Sequence, residues 1–172
     1  MKKIIILIVL FVSDTILSQT VFDKFENQEQ VATVIVNKKM FSLLSEMAVN
    51  DAASQQYVNL IKKLDNLKVF VTGNQKIAAD MKSVSGKYVK SAGLAELLKE
   101  SAEGKTISIY VKKGAAESQI KEMLMFVDGK ANEDTILMVL SGNFDLDEVS
   151  LLTDKMNLPG GNDLKKASKT EK

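Results

Sequence analysis

Apolar and polar positions in the first half of the chain predict helices separated by short strands. A β-branched run at 31–36 predicts a buried strand, and Asn37 follows it as a candidate N-cap. The next apolar residues recur at the spacing of an amphipathic helix: Met40, Phe41, Leu43, Leu44 and Met47. The pattern predicts two further helices, at 55–66 and 76–98, with a strand at 67–72 between them.

The last third of the chain has the pattern of a β-meander. Residues 106–112 alternate between apolar and polar side chains, and 120–127 and 135–141 are two more strand-like runs. The connectors between the three runs are short and hydrophilic, which predicts antiparallel pairing. Asp145 and Glu148 have the spacing of a capping box and predict a final helix.

Together these elements predict one α+β domain over residues 19–160. We expect a mixed five-stranded sheet with the C-terminal antiparallel three-stranded meander, and with the helices mainly on one face. The Lys-rich, apolar-poor residues 161–172 predict a disordered tail.

Two of the predicted strands, 120–127 and 135–140, are apolar on both faces. A sheet with one solvated face does not require this. Either another element covers the second face, or that face is a contact patch for another molecule. The residues of the possible contact patch are Met123, Met125, Val127, Leu137 and Val139.

Residues 1–18 have the layout of a secretory signal peptide. Two lysines precede an unbroken apolar run at 4–12, and the small Ser18 stands before Gln19. The run is about half the roughly 20 residues that a membrane-spanning helix needs, so we expect no permanent membrane anchor in the mature form. We expect cleavage near Ser18 and a mature protein in the periplasm or outside the cell.

Composition narrows the chemistry that the chain can perform. The chain has no cysteine, histidine, tryptophan or arginine, so disulfides, thiol nucleophiles and histidine-based triads are excluded and zinc is disfavoured. The 23 basic and 22 acidic residues nearly cancel, which gives no electrostatic reason to bind nucleic acid. From the sequence we therefore assign no catalytic residue, no cofactor and no metal ligand.

One acidic cluster, formed by Asp128, Glu133 and Asp134, is the best candidate for binding a hard cation. Oxygen ligands in a flexible turn suit calcium, but the residues lack the spacing of a calcium loop. Acidic residues are common in turns between strands, so we interpret the cluster as a solvated hairpin turn.

Three segments of the chain resemble a known family. These are Phe22-Asp23-Lys24-Phe25, the strand at 31–36 with the helix start at 40–44, and the stretch at 140–148. They are similar to the small exported proteins of Bacteroidota known as domain of unknown function 4252, and the resemblance covers roughly residues 20 to 157. It implies a bacterial envelope protein but no catalytic residues. Many members carry a lipoprotein cysteine, which this chain lacks.

The favoured interpretation is a non-enzymatic envelope protein that acts through sheet-face or sheet-edge contacts with another protein or with itself. One alternative is a carboxylate-dependent hydrolase that uses Asp128, Glu133, Asp134 or Tyr110; it needs two acids about 5–10 Å apart in a cleft. Another alternative is a periplasmic module that binds a small hydrophobic ligand between its helices and its sheet.

Overall fold

The computed structural model describes residues 21–47, 52–102, 104–116, 118–129 and 133–159. The predicted leader and the predicted tail lie outside these residues. Among the described residues the elements are, in order, a 3₁₀ turn (Asp23–Phe25), β1 (Ala32–Asn37), α1 (Lys38–Met47), α2 (Ala52–Lys63), β2 (Leu64–Thr72), α3 (Gln75–Ala92), β3 (Ala95–Ala102), β4 (Lys105–Lys113), β5 (Gln119–Gly129), β6 (Thr135–Asp145) and α4 (Leu146–Lys155).

The strands form one six-stranded sheet in the order β1-β2-β6-β5-β4-β3. Every pair of neighbouring strands is antiparallel. The α+β class is thereby confirmed, and the predicted meander is present as β4, β5 and β6. The predicted mixed five-stranded sheet is corrected to six antiparallel strands. The chain returns through α1 and α2 before it pairs β2 with β1, so the two strands run in opposite directions.

The additional strand, β3, begins where the sequence predicted the end of a long helix. Gly93 adopts the left-handed conformation with φ 68°, and it ends α3 as the C-cap. The next eight residues are mostly alanine, glutamate, leucine and lysine, which favour helix. Pairing with β4 along Ala95–Ala102 outweighs that local preference, because the backbone N–H and C=O groups of the segment form hydrogen bonds with the neighbouring strand.

Side-chain caps begin three of the described helices, and the sequence predicted two of these caps. The backbone N–H of Met40 donates to Asn37 Oδ1 at 3.0 Å, which confirms Asn37 as the cap of α1. Asn74 accepts from the N–H groups of the first turn of α3 in the same way. The N–H of Asp145 donates to Glu148 Oε2 at 3.0 Å, which confirms the predicted reciprocal contact at the start of α4.

One face of the sheet is covered by α1, α2 and α4. Phe41 of α1, Leu60 and Ile61 of α2, and Val149 and Leu152 of α4 are all buried against it. The strands contribute alternate side chains to this first core, as the two-residue period of a strand requires.

The opposite face is covered by α3 and the 3₁₀ turn, so three of the four described helices lie on one face, as predicted. Met81 and Tyr88 of α3 pack there with Phe22 and Phe25, and both phenylalanines are fully buried. The spacing of Phe22 and Phe25 in the sequence predicts a short helical turn with both rings on one side, and in the structure this turn is part of a second core. This core explains why the central strands are apolar on both faces.

A buried lysine attaches the 3₁₀ turn to the sheet. Lys68 of β2 is only 6% exposed, and its Nζ lies 2.5 Å from Asp23 Oδ1 and 2.6 Å from Glu26 Oε1. Burial alone lowers the pKa of Lys68, but the hydrogen bonds and charges of the two carboxylates outweigh burial and leave its pKa raised. Lys68 therefore remains charged in the second core.

A close backbone approach requires glycine at position 142. The β2–β6 ladder is irregular near Leu64, which pairs with Gly142. A Cβ at position 142 would lie 2.5 Å from the carbonyl oxygen of Lys63 and 2.8 Å from Leu64 Cα. Gly142 thus lets β6 pass directly beside the junction of α2 and β2.

Candidate functional site

The five residues of the possible contact patch are buried and lie on two different faces. Met123, Met125 and Val127 are fully buried in the core beneath α1, α2 and α4. Leu137 and Val139 point to the other face, into the core beneath α3. The expected exposed patch is therefore corrected. Of the two explanations that the sequence left open, the structure supports coverage of both faces by other elements.

The acidic residues predicted from the β5–β6 connection do not converge. Asp128 Oδ2 lies 2.5 Å from Lys82 Nζ of α3, and Glu133 Oε2 lies 2.7 Å from Lys105 Nζ of β4. Asp134 is exposed. Within the described residues, no group of three or more acidic, histidine or cysteine side chains is arranged to hold a metal ion.

Exposed apolar side chains are concentrated on α1. Met40 is 44% exposed, Leu43 is 51% exposed and Met47 is 79% exposed. Their spacing of three and four residues puts them on one side of the helix, and we call them the α1 stripe. The sequence predicted an amphipathic helix from the spacing of these apolar residues. In the structure only Phe41 is fully buried and Leu44 is half-buried.

The α1 stripe faces away from the rest of the helical layer. An open groove of about 880 Å³ separates α1 from the end of α2, and it is lined by Lys38, Lys39, Ser42, Ser45, Glu46, Ile61, Lys62 and Leu64. At about 100° per residue, the centre of the five α1 residues that line the groove lies about 135° around the helix from the centre of the stripe. Because α2 also contacts β6 and α4, it lies over the inner strands. The stripe therefore points outward, beyond β1.

The edge of the sheet next to the stripe is uncharged. β1 pairs with β2, and within the described residues no strand pairs with its other side. Its sequence, Ala-Thr-Val-Ile-Val-Asn, contains neither a charge nor a proline, and Val34 is 38% exposed. The opposite edge strand, β3, carries Glu96, Lys99 and Glu100. Charged residues protect an edge from pairing with another chain, so β3 has this protection and β1 does not.

A second groove, between α2 and α4, is polar. Its volume is about 670 Å³, and it is lined by Gln56, Asn59, Lys62, Lys63, Asp147, Glu148 and Leu151. Lys63 Nζ donates to both carboxylate oxygens of Glu148, at 2.8 and 3.1 Å. Both grooves are open to solvent, and most of the residues that line them are polar or charged, whereas a small hydrophobic ligand is usually held in an enclosed apolar pocket.

A buried carboxyl lies in the second core, against α3. The Tyr88 hydroxyl donates a hydrogen bond to Glu122 of β5, and Glu122 is only 8% exposed. Burial raises the pKa of Glu122; the hydrogen bond from Tyr88 and the charge of Lys112 lower it without cancelling the effect of burial. The contribution of this group to stability is therefore fully present below its ordinary pKa and is lost as the pH rises through the raised one.

We expect Glu122→Gln to change the pH dependence of stability. Glutamine keeps the size and the acceptor for Tyr88 but cannot ionise, so it removes the loss of stability that wild type suffers between pH 4 and pH 7. Urea unfolding at both pH values should show that the free energy of unfolding of the variant, relative to that of wild type, is higher at pH 7 than at pH 4. Tyr88→Phe, which keeps the carboxyl and removes the donor, should make the wild-type loss steeper. An equal stability difference between Glu122→Gln and wild type at both pH values would contradict the expectation.

None of the helices in the described ranges is long and apolar enough to cross a membrane. The chain has no match among the curated proteins or among the solved structures. The model of one protein family, described as Domain of unknown function (DUF4252), matches residues 25–152 and so includes every strand together with the β1 edge and the α1 stripe. The chain belongs to the DUF4252 family.

Proposed function

We propose that the protein is an exported, non-enzymatic binding module of the cell envelope. Its contact site is the β1–α1 surface, which consists of the unpaired edge of β1 and the α1 stripe (Met40, Leu43 and Met47). The observation that supports this proposal is that the uncharged edge of β1 and the three exposed apolar side chains of α1 belong to consecutive elements at the same end of the sheet.

The two parts of this surface would contribute in different ways. An unpaired edge offers backbone N–H and C=O groups to an added strand, which provides affinity with little sequence preference. The stripe lies beside that edge and offers apolar side chains that an added partner would bury. A segment bound along β1 would therefore contact both the backbone edge and the stripe.

A carboxylate-dependent hydrolase is the weaker candidate. Asp128 and Glu133 are both ion-paired with lysines, at 2.5 and 2.7 Å. The two carboxylates are therefore held by lysines of different elements, α3 and β4. No observation at Asp134 or Tyr110 favours the hydrolase.

Photo-crosslinking in the cells that make the protein tests the contact surface. A photoreactive amino acid at Leu43 should give protein adducts, because the stripe lies at the contact site. The same amino acid at Lys99, which is exposed on the opposite edge strand β3, is the matched control and should give few adducts. Adding Val34→Lys to the Leu43 probe should remove its adducts, because a charge on the edge opposes strand addition.

The proposal would be contradicted if Leu43 gave no more protein adducts than Lys99. The mass of the protein recovered in the same experiment tests export. Loss of residues 1–18 is expected, since the leader pattern predicts cleavage near Ser18. A recovered protein that retains them would contradict the export part of the proposal and leave the contact surface to be judged by the adducts.

A further inference from the structure

We infer that the partner of the β1–α1 surface is a second copy of this chain, bound through a two-fold axis that runs perpendicular to the sheet at the middle of β1. This inference rests on the proposed function and names the partner. The two β1 strands would pair antiparallel and join two six-stranded sheets into one, with the two α1 helices side by side on the same face.

The composition of β1 allows it to pair with a second copy of itself. A two-fold axis at Val34 or Ile35 pairs uncharged residues with uncharged residues along all of β1, since the strand carries no charge. The contact needs the same surface on both copies to be self-complementary. It would also cover Val34, which is 38% exposed on the face where α1 packs.

One two-fold axis can relate both the two β1 strands and the two α1 helices. β1 ends at Asn37, α1 begins at Lys38, and α1 contacts both β1 and β2, so the helix turns back over the sheet. From that turn, the middle of β1 is about 10 Å away along the strand, and the middle of α1 is about 8 Å away along the helix. The axis at the middle of β1 therefore passes close to the level of Leu43.

The charges on α1 suit an antiparallel second copy. The axis makes the two helices antiparallel, so with Leu43 near the axis Met40 of one copy lies within about one residue of the level of Met47 of the other. Lys39 and Glu46 are exposed on the same helix, seven residues apart and about 85° around it from the stripe, and they also line the groove toward α2. In the antiparallel arrangement Lys39 of each copy approaches Glu46 of the other to within about one residue, which is about 1.5 Å along the helix axis. An antiparallel second copy places an opposite charge near both Lys39 and Glu46. A partner that carries charges of only one sign would complement only one of them.

Sedimentation of the purified protein, in the form that its cells accumulate, tests the inference. Wild type should show a concentration-dependent equilibrium between monomer and dimer. Val34→Lys places two like charges at the paired edges and should weaken dimerisation by about 100-fold or more. Lys99→Glu, on the opposite edge of the sheet, is the control and should leave the equilibrium unchanged. Circular dichroism should show all variants folded.

Charge reversal on α1 provides the sharper test. Lys39→Glu and Glu46→Lys should each weaken dimerisation by about tenfold, because each places two like-charged pairs across the axis. A mixture of these two variants should recover dimers as heterodimers. In a heterodimer the two introduced charges are opposite and face each other, and the unchanged Glu46 of one copy faces the unchanged Lys39 of the other. Recovery in the mixture would support the antiparallel arrangement, because neither a folding defect nor binding to another molecule would produce it.

Three results would overturn the inference: a monomer at all concentrations, a dimer that Val34→Lys leaves intact, or a mixture no more dimeric than its components. Binding of a monomer to vesicles of anionic phospholipid through the stripe would also overturn it. These failures are distinct from failure of the proposed function. Adducts at Leu43 that contain only a different protein would overturn the inference and support the proposed function, whereas absence of adducts would contradict the proposed function.

Discussion

Replacing Asp23 by asparagine and Glu26 by glutamine together should lower the free energy of unfolding by about 3 kcal/mol. Lys68 lies beneath the 3₁₀ turn and is 6% exposed, so its ammonium depends on protein groups for the favourable interactions that water would otherwise supply. The double change removes both carboxylate charges and leaves the cation buried. We expect a value at the lower end of the range for buried pairs, because the side chain of Asp23 is 48% exposed and partly screened by water. Urea unfolding at neutral pH measures the change.

Lys68→Met is the matched control for this charge network. Methionine has a similar length and carries no charge, so the protein should keep its stability to within about 1 kcal/mol, while Asp23 and Glu26 remain accessible to water. Combining Lys68→Met with the double change should recover most of the lost stability. If Lys68→Met were as destabilising as the double change, the loss would reflect packing rather than an uncompensated charge. Because the folded-state pKa of Lys68 is raised, the stabilisation is present at neutral pH and is lost in strong alkali, as the pH rises through that pKa.

Gly142→Ala should lower the free energy of unfolding by about 2–3 kcal/mol. The added methyl group would lie 2.5 Å from the carbonyl oxygen of Lys63 and 2.8 Å from Leu64 Cα, and both of these neighbours are backbone atoms. Backbone at the junction of a helix and a strand cannot move aside as a flexible side chain can. The irregular pairing of β2 with β6 would therefore have to shift.

Gly86→Ala is the matched control for this prediction. Gly86 lies inside α3, and a Cβ there would meet no atom within 4 Å. Alanine favours the helix over glycine, so this variant should be more stable than wild type by about 0.5–1 kcal/mol. Chemical unfolding of the two variants side by side should give changes of opposite sign. A Gly142→Ala protein as stable as wild type would show that β6 can move away from the α2–β2 junction.

The proposed binding surface depends on how the first β-α unit is placed at the end of the sheet. A central strand with the composition of β1 would be covered on both sides and would need no explanation. At the sheet edge the same composition leaves uncharged backbone unpaired, next to three exposed apolar side chains. Natural edges are commonly protected by charge, as β3 is by Glu96, Lys99 and Glu100. The contrast between the two edges is the reason to assign contact to β1.

Local signals in the sequence determined most of the secondary structure. Asn37 and the Asp145–Glu148 pair mark helix starts because a side-chain oxygen near an unpaired N–H group acts over one turn and needs no distant residue. The three strands of the meander follow from their apolar runs and short connectors. The aromatic pair Phe22 and Phe25 predicted a turn with one apolar side, and both side chains are buried there.

Only the tertiary structure decided what depends on neighbours distant in sequence. Ala95–Ala102 is a strand because β4 pairs with it, although its composition favours helix. Lys68 can be buried because two carboxylates about 42 to 45 positions away in the chain bind its ammonium group.

The sequence indicated that the apolar residues on both faces of β5 and β6 must be covered by another element or by a partner. In the structure α3 covers the second face. The apolar positions of α1 span about 160° of the helix, which is wider than the sheet beneath it can bury, and the position of α2 determines which part stays exposed. The spacing of apolar residues shows which side chains need to be buried. Which surface buries them depends on contacts between elements, and these contacts form only in the folded chain.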